Sequence, residues 1–402
     1  MNELKVAKIG QCHNYCIFLA SMHFESIDDF INLEIAVKRF RGNLEKFFYN
    51  PIALTKTTRK FFPNMRTQWL YSEHDEIFED GQIKWYVYWD EISYLASEKM
   101  KQEREIEFKK LILTNDDVKE IINKEKEERN LDYYDELSFT IPDTICRLDK
   151  KCFKYSHCLR EITIPTSVTS LGEECFSCCV ILTKITIPTS ISSFPDNCFL
   201  SSKHIQIMNI PTSVTSLGNK CLGGCFGLTT ITVPSTISSL PNNCFGFCFN
   251  LETINLSTSI KYIGEECFYW CLKLSSIRIP SSISSFPKGL FCYCANLKEM
   301  NIPTSVTSIG EECFIHCVEL TSVTIPESIT LLPKNCFYNC HSLKSIDIPS
   351  SVTRIEDDCF IRCSNLTSIN IFNKNAIIGR NNTPAQKQSK ETNDKHTKLM
   401  TK

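Results

Sequence analysis

The chain has 402 residues, 44 of them Lys or Arg and 46 Asp or Glu, for a formal net charge of −2. That length suggests two domains, and the charge balance leaves no global field to draw the chain to nucleic acid or anionic lipid. No run of about eighteen apolar residues occurs, so no transmembrane segment is expected. The opening Met1-Asn2-Glu3-Leu4-Lys5 lacks the apolar core of a signal peptide, which points to a cytoplasmic compartment.

Residues 12–48 carry apolar side chains at three- and four-residue steps, among them Cys16, Leu19, Phe24, Ile27, Phe30, Leu33, Val37, Phe40 and Leu44. This is a helical pattern, and Ser26 with Asp29 forms a capping-box signature before Ile27. The reading preferred is a helical cap for a repeat stack, whose open end must be shielded from water. The alternative rests on Val37-Lys38-Arg39-Phe40-Arg41, which resembles part of the F-box motif without its Leu-Pro opening. On that resemblance residues 12–50 would bind a ubiquitin-ligase adaptor and the repeats would bind substrate. Residues 61–95 are rich in Phe, Trp and Tyr, and Ile83–Trp89 reads as a strand. Acidic neighbours such as Glu73, Asp75, Glu76 and Asp80 argue against base stacking there. Residues 97–130 mix charges at helical spacing, with Thr114 and Asp117 opening a second helix. The expected divisions are a helical and aromatic N-terminal domain over 1–96, a charged helical connector over 97–136, a repeat region over 137–372 and a disordered polar tail over 373–402.

The repeat region is the strongest signal. Ile141-Pro142 recurs at 164, 187 and 210, continues as Val233-Pro234, Leu256-Ser257, Ile279-Pro280, Ile302-Pro303, Ile325-Pro326 and Ile348-Pro349, and ends at Ile371-Phe372, with a constant interval of 23 residues. A fixed period of this size marks a solenoid. Within residues 320–342, Leu320, Val323 and Ile325 alternate with Ser322 and Thr324 as a short strand that Pro326 ends. A second extended piece turns Ile329 and Leu332 inward, and Cys336–Cys340 is read as one helical or 3₁₀ turn. A Phe recurs beside the first cysteine from Phe153 to Phe360, replaced once by Leu222. Truncating one such buried Phe to Ala should cost about 3–5 kcal/mol. The residue ahead of that turn alternates, Gly172, Pro195, Gly218, Pro241, Gly264, Pro287, Gly310, Pro333, until Glu356 breaks the series. This implies a two-coil unit whose turn edge alternates in geometry.

The pattern L-x-x-I-x-I-P-x-S-[VI]-x-x-[LIF]-[GP]-x-x-C-F-x-x-C is similar to the 23-residue repeat of the BspA-like leucine-rich-repeat family, over residues 137–372. The segment Tyr15 to Pro51 also resembles the N-terminal region of protist-type members. The resemblance implies an α/β-type right-handed solenoid, a parallel ladder with short helical turns behind a mainly helical N-terminal domain. It also implies a role in adhesion or protein recognition, no catalytic residue, and the cell surface as the alternative compartment.

The 23 cysteines fall mostly in two ladder positions, Cys175 to Cys359 and Cys179 to Cys363. Ser202 and Leu290 interrupt them, so strict pairing fails, and disulfides are not expected; the thiols are read as small buried apolar groups. The C-x-x-x-C spacing with scattered histidines is not a zinc signature, and no cofactor is expected. The outward strand positions Asn209, Thr232, Asn255, Arg278, Asn301, Thr324 and Asp347 are the expected contact surface for a protein partner. Arg278 is the one residue there of a type common in interface hot spots. No nucleophile–base pair or phosphate-binding glycine loop appears, so the chain is read as a non-enzymatic interaction protein.

Overall fold

The computed structural model describes residues 21–36, 42–72, 74–129, 132 and 136–382. Residues 12–20, the segment Val37 to Arg41 and the tail from 383 lie outside the described residues. The chain divides into two units, one of residues up to 117 with 144–147, the other of residues 118–143 with those from 148 onward.

In the first unit, helix α1 (Ile27–Ala36) opens on a reciprocal cap. The Ser26 N–H donates to Asp29 Oδ2 at 3.0 Å and the Asp29 N–H to Ser26 Oγ at 3.4 Å. The hydrogen bonds from Ser26 favour the charged carboxylate and hold Asp29 below the usual range. Phe30, Phe47 and Phe62 meet edge to face beneath α1, with ring centroids 5.7 to 6.0 Å apart. That geometry suits the ring quadrupoles. Beyond them lies a parallel sheet of β1 (Thr67–Leu70), β2 (Trp85–Ser93) and β3 (Ile106–Leu113), with helix α2 (Tyr94–Glu103) as the crossover between β2 and β3. Strand β3 falls inside the segment expected to be helical. Its Ile106, Leu111 and Leu113 are buried while Glu107, Lys109 and Lys110 are exposed, so charges interrupt the apolar pattern that would mark a strand. Helix α3 (Asn115–Arg129) opens on the second expected cap, where the Thr114 N–H donates to Asp117 Oδ2 at 2.9 Å and the Asp117 N–H to Thr114 Oγ1 at 3.2 Å.

The second unit is a parallel β-solenoid. One ladder pairs Glu161 with Lys184, Thr232 with Asn255, Asn301 with Thr324 and Asp347 with Asn370. A second ladder of two-residue strands pairs Ser193 with Ser216, Ser239 with Tyr262, Ser285 with Ser308 and Arg354 with Ile377. Every one of these pairs is 23 residues apart in sequence. Between the ladders each proline starts a turn: the Val168 N–H reaches the Pro165 carbonyl at 3.1 Å, and Ile329 reaches Pro326 likewise. Hydroxyls tie the same corner from coil to coil. Ser213 Oγ donates to the Ile191 carbonyl and Ser351 Oγ to that of Ile329, each at 2.7 Å.

The Cys–Phe segment is not a helical turn. Its N–H groups alternate between local and long-range partners. Cys175 donates to the Gly172 carbonyl at 3.3 Å and Ser177 to Glu174 at 3.0 Å, while Phe176 donates to Cys198 at 2.8 Å and Cys178 to Leu200 at 2.7 Å in the next coil. A helix would return every N–H to a carbonyl three or four residues earlier. Here left-handed residues at Glu174 (φ +56°) and Cys178 (φ +59°) turn alternate groups outward, as Asn335 (φ +57°) and Asn339 (φ +65°) do in a later coil. Each such residue costs about 1–2 kcal/mol, offset by the coil-to-coil bonds that it permits.

The core is the Phe column. Neighbouring rings lie nearly parallel, with centroids 5.3 Å apart for Phe314 and Phe337 and 5.6 Å for Phe337 and Phe360. The second cysteine of each coil supports this column. Cys248 Sγ donates to the Leu222 carbonyl at 3.2 Å, Cys271 to Phe245 at 3.3 Å and Cys317 to Phe291 at 3.2 Å, each in the preceding coil. Ser202 Oγ does the same to Phe176 at 2.6 Å. The position requires a small donor, which explains why serine replaces cysteine there. The described cysteines are free thiols, and Cys221 and Cys244 approach only to 3.7 Å between sulfurs, far beyond the roughly 2.05 Å of a covalent bridge. Burial disfavours the thiolate, pushing Cys248 up to about 12 and Cys271 and Cys317 well above the ordinary value.

The Gly–Pro alternation also acquires a cause. The Gly218 N–H bonds the Phe194 carbonyl at 2.7 Å, Gly264 that of Leu240 at 2.7 Å and Gly310 that of Phe286 at 2.8 Å, whereas the intervening prolines have no N–H to give. At Gly264 a Cβ would lie 2.5 Å from the Asn242 nitrogen and 2.6 Å from the Pro241 carbonyl carbon. Glu356 makes the same backbone bond at 2.9 Å despite its side chain, and Gly379 resumes the glycine position.

Gly264→Ala should therefore destabilise the solenoid by about 1–3 kcal/mol, read as a lower denaturant midpoint, while Gly223→Ala, whose nearest neighbour would lie at 3.3 Å, should cost less. A second outcome follows from the thiols. The unfolded chain releases its thiol protons near pH 9, while Cys248 holds its proton to about 12. Stability is thus fully present below about pH 9 and falls as pH rises toward 12. Denaturant midpoints measured from pH 8 to 11 should fall with pH, and fall less in Cys248→Ala. Midpoints flat to pH 11 would contradict this.

Candidate interaction surface

The solenoid sets side chains in rows, because each position of the repeat lands beside its equivalent one coil away. Asn209, Thr232, Asn255, Arg278, Asn301, Thr324 and Asp347 are all exposed and lie in one such row. Five of them have their register fixed by pairing, Thr232 with Asn255 and Asn301 with Thr324 inside the row, and Asp347 with Asn370 at its end. Asn370 Nδ2 donates to Asp347 Oδ1 at 2.7 Å, so that carboxylate is engaged within the sheet.

Arg278 differs from the rest. Residues 276–278 form no strand, so the ladder that runs through Thr253–Asn255 resumes only at Glu299–Asn301. Arg278 stands in that gap, exposed and without an ion pair among the described residues. One position further out in the alternation, most coils carry Thr, Ser, Glu or Lys, and Glu161 pairs with Lys184 at 3.8 Å. Ile207 occupies that position in its coil and is 63% exposed.

A second surface was not anticipated from the sequence. It lies on the Cys–Phe edge, at the left-handed position three residues after the first ladder cysteine. Phe247, Trp270, Tyr293 and His316 occupy it in successive coils and stack, with near-parallel planes and centroids 6.5, 4.3 and 4.3 Å apart. Tyr338 closes against His316 at 5.5 Å, and the Arg362 guanidinium lies 5.5 Å over the Tyr338 ring. The signal was present at 23-residue spacing, Phe247, Trp270, Tyr293 and His316, but these residues were read only as part of a helical turn. Among the described residues no group of His, Cys, Asp and Glu could hold a metal ion. No described helix is long and apolar enough to cross a membrane.

A model of the BspA-type leucine-rich-repeat region matches six copies, over residues 133–252, 217–343 and 285–384, together more than half of the chain. The chain belongs to the BspA-type leucine-rich-repeat family. Among solved structures it is similar to a leucine-rich repeat protein of Bacteroides ovatus, at 22% identity over 60% of this chain and 82% of that one, with a TM-score of 0.41. It is similar to a leucine-rich cell surface protein of Faecalibacterium prausnitzii at 24% identity, over 58% and 87% of the two chains, with a TM-score of 0.38. The pneumococcal vaccine antigen PcpA follows at 17% identity, over 78% and 82%, with a TM-score of 0.37. No curated protein matches the chain. In this BspA-type chain the apolar positions and most thiols are buried in the stack, and the two rows described above are exposed or partly exposed.

Proposed function

We propose that this BspA-type chain is a non-catalytic protein-interaction solenoid that binds a protein partner through the sheet row from Asn209 to Asp347, with Arg278 at its centre. The observation that carries the reading is the interruption of the ladder at 276–278, which leaves one unpaired guanidinium amid a row of small amides and hydroxyls. A planar cation with several donors, flanked by Asn255 and Asn301, suits a carboxylate or carbonyl on a partner surface. The flanking side chains are small, so each contact is weak and affinity comes from many coils engaged together. Burial keeps ladder thiols such as Cys271 protonated, which argues against their use as nucleophiles. A net charge of −2 gives no support to nucleic-acid binding. Free thiols suit a reducing cytoplasm; family resemblance favours recognition or adhesion at a surface.

The test compares the parent with the triple variant Asn255→Ala, Arg278→Ala, Asn301→Ala as bait in native cells. These exposed changes should alter stability by no more than about 0.5 kcal/mol, checked by thermal melting. The proposal predicts loss of the partners that the parent retains. Retention of the same partners by the triple variant would refute the row as the site. A ubiquitin-ligase adaptor bound equally by both baits would favour the adaptor reading of residues 12–50, and labelling on intact cells would favour an adhesive role.

A further inference from the structure

The aromatic column on the Cys–Phe edge ends at a vacancy. The position that Phe247, Trp270, Tyr293 and His316 occupy in their coils is Gly224 in the preceding one, with φ +68°. Gly224 and Phe247 line one open notch, and Phe247 is 41% exposed. Gly223 and Gly246 widen the gap into an open notch of about 440 Å³, walled by Leu200, Phe226, Phe247 and Tyr269. A stack whose members lie 4.3 to 6.5 Å apart thus stops one ring short, with a slot for another planar ring against its last face.

The charges at the mouth select the neighbours of that ring. Lys220 lines the notch, and the Lys203 ammonium sits 5.4 Å over the Phe226 ring. Neither makes an ion pair among the described residues. The one carboxylate of the lining, Glu266, already accepts a hydrogen bond from Asn243 Nδ2 at 3.1 Å. Lys220 and Glu266 offset one another, and Lys203 beside Phe226 leaves the three with a net charge of about +1.

We propose that this notch docks an aromatic side chain of a partner polypeptide, placed beside Asp or Glu residues that meet Lys203 and Lys220. The incoming ring completes the column on Phe247, and the carboxylates fix its orientation. This surface is separate from the sheet row, and the two stand or fall independently.

The test selects a displayed random-peptide library on the full chain and measures affinities of the recovered peptides by fluorescence anisotropy. Peptides with an aromatic residue adjoining Asp or Glu should be enriched. Phe247→Asn removes the stacking face and keeps a residue type the fold already uses at 339; it should weaken binding on the order of tenfold. Lys220→Glu should weaken it similarly, and raised salt should weaken it further. Gly224→Tyr, a residue the fold tolerates at 293, should fill the slot and abolish binding. Circular dichroism of each variant checks that it is folded, and Arg278→Ala should leave peptide affinity unchanged. The proposal is overturned if the selection gives no aromatic-acidic enrichment. It is equally overturned if folded Gly224→Tyr or Phe247→Asn binds the peptides as the parent does.

Discussion

The interaction on which the second unit depends is the alternation of backbone hydrogen bonds in the Cys–Phe edge. One N–H closes a local turn, and the next reaches the carbonyl of the following coil, as Ser177 and Cys178 do. That alternation requires two left-handed residues per coil, and it requires every coil to have the same length. A single extra residue would exchange local for long-range donors along the whole edge and leave buried N–H groups unpaired, at about 1–3 kcal/mol each. The unbroken 23-residue period is thus a consequence of hydrogen-bond bookkeeping as much as of core packing. The Phe column, the thiols that cap its carbonyls and the hydroxyls at the proline corner all rely on that register.

Rigid register has a functional consequence. Whatever stands at a given repeat position is displayed as a straight row, so chemistry on this scaffold is written by exceptions. Arg278 in a row of amides and hydroxyls is one exception, and Gly224 at the end of an aromatic column is another. Regular positions serve the stack, and irregular ones are free to serve a partner. The same logic accounts for the cysteines. Those of the second ladder fill positions that demand a small, weakly donating group, and burial keeps Cys248 and Cys271 protonated.

Much of the second unit was legible in the sequence because its signals are local and repeated. Ile–Pro spacing gave the ladder register, and the alternation around Val323 gave the strand. The Gly–Pro alternation marked the two-coil unit, and in the first unit Ser26 with Asp29 marked a helix start. The Cys–Phe turn was misread because two cysteines at i and i+4 look like one helical face, while the left-handed angles show in propensity only where Asn stands, as at Asn335 and Asn339; Glu174 and Trp270 do not advertise them. That error hid the aromatic column. Strand β3 was hidden for a different reason, since the exposed Glu107, Lys109 and Lys110 imitate a solvated helix. The role of Ser202 as a hydrogen-bond donor needed a partner 26 residues away, which no local pattern contains.

The account is tested most directly by altering coil length. Removing residues 258–303, two full periods, keeps every donor opposite its acceptor and sets Gly310 after Pro241; inserting one glycine after Ser284 does not. Thermal unfolding followed by circular dichroism should show a single cooperative transition for the two-coil deletion, close to that of the parent, and a broadened transition at markedly lower temperature for the one-residue insertion. An insertion variant as stable as the deletion variant would contradict the claim that register holds the solenoid together.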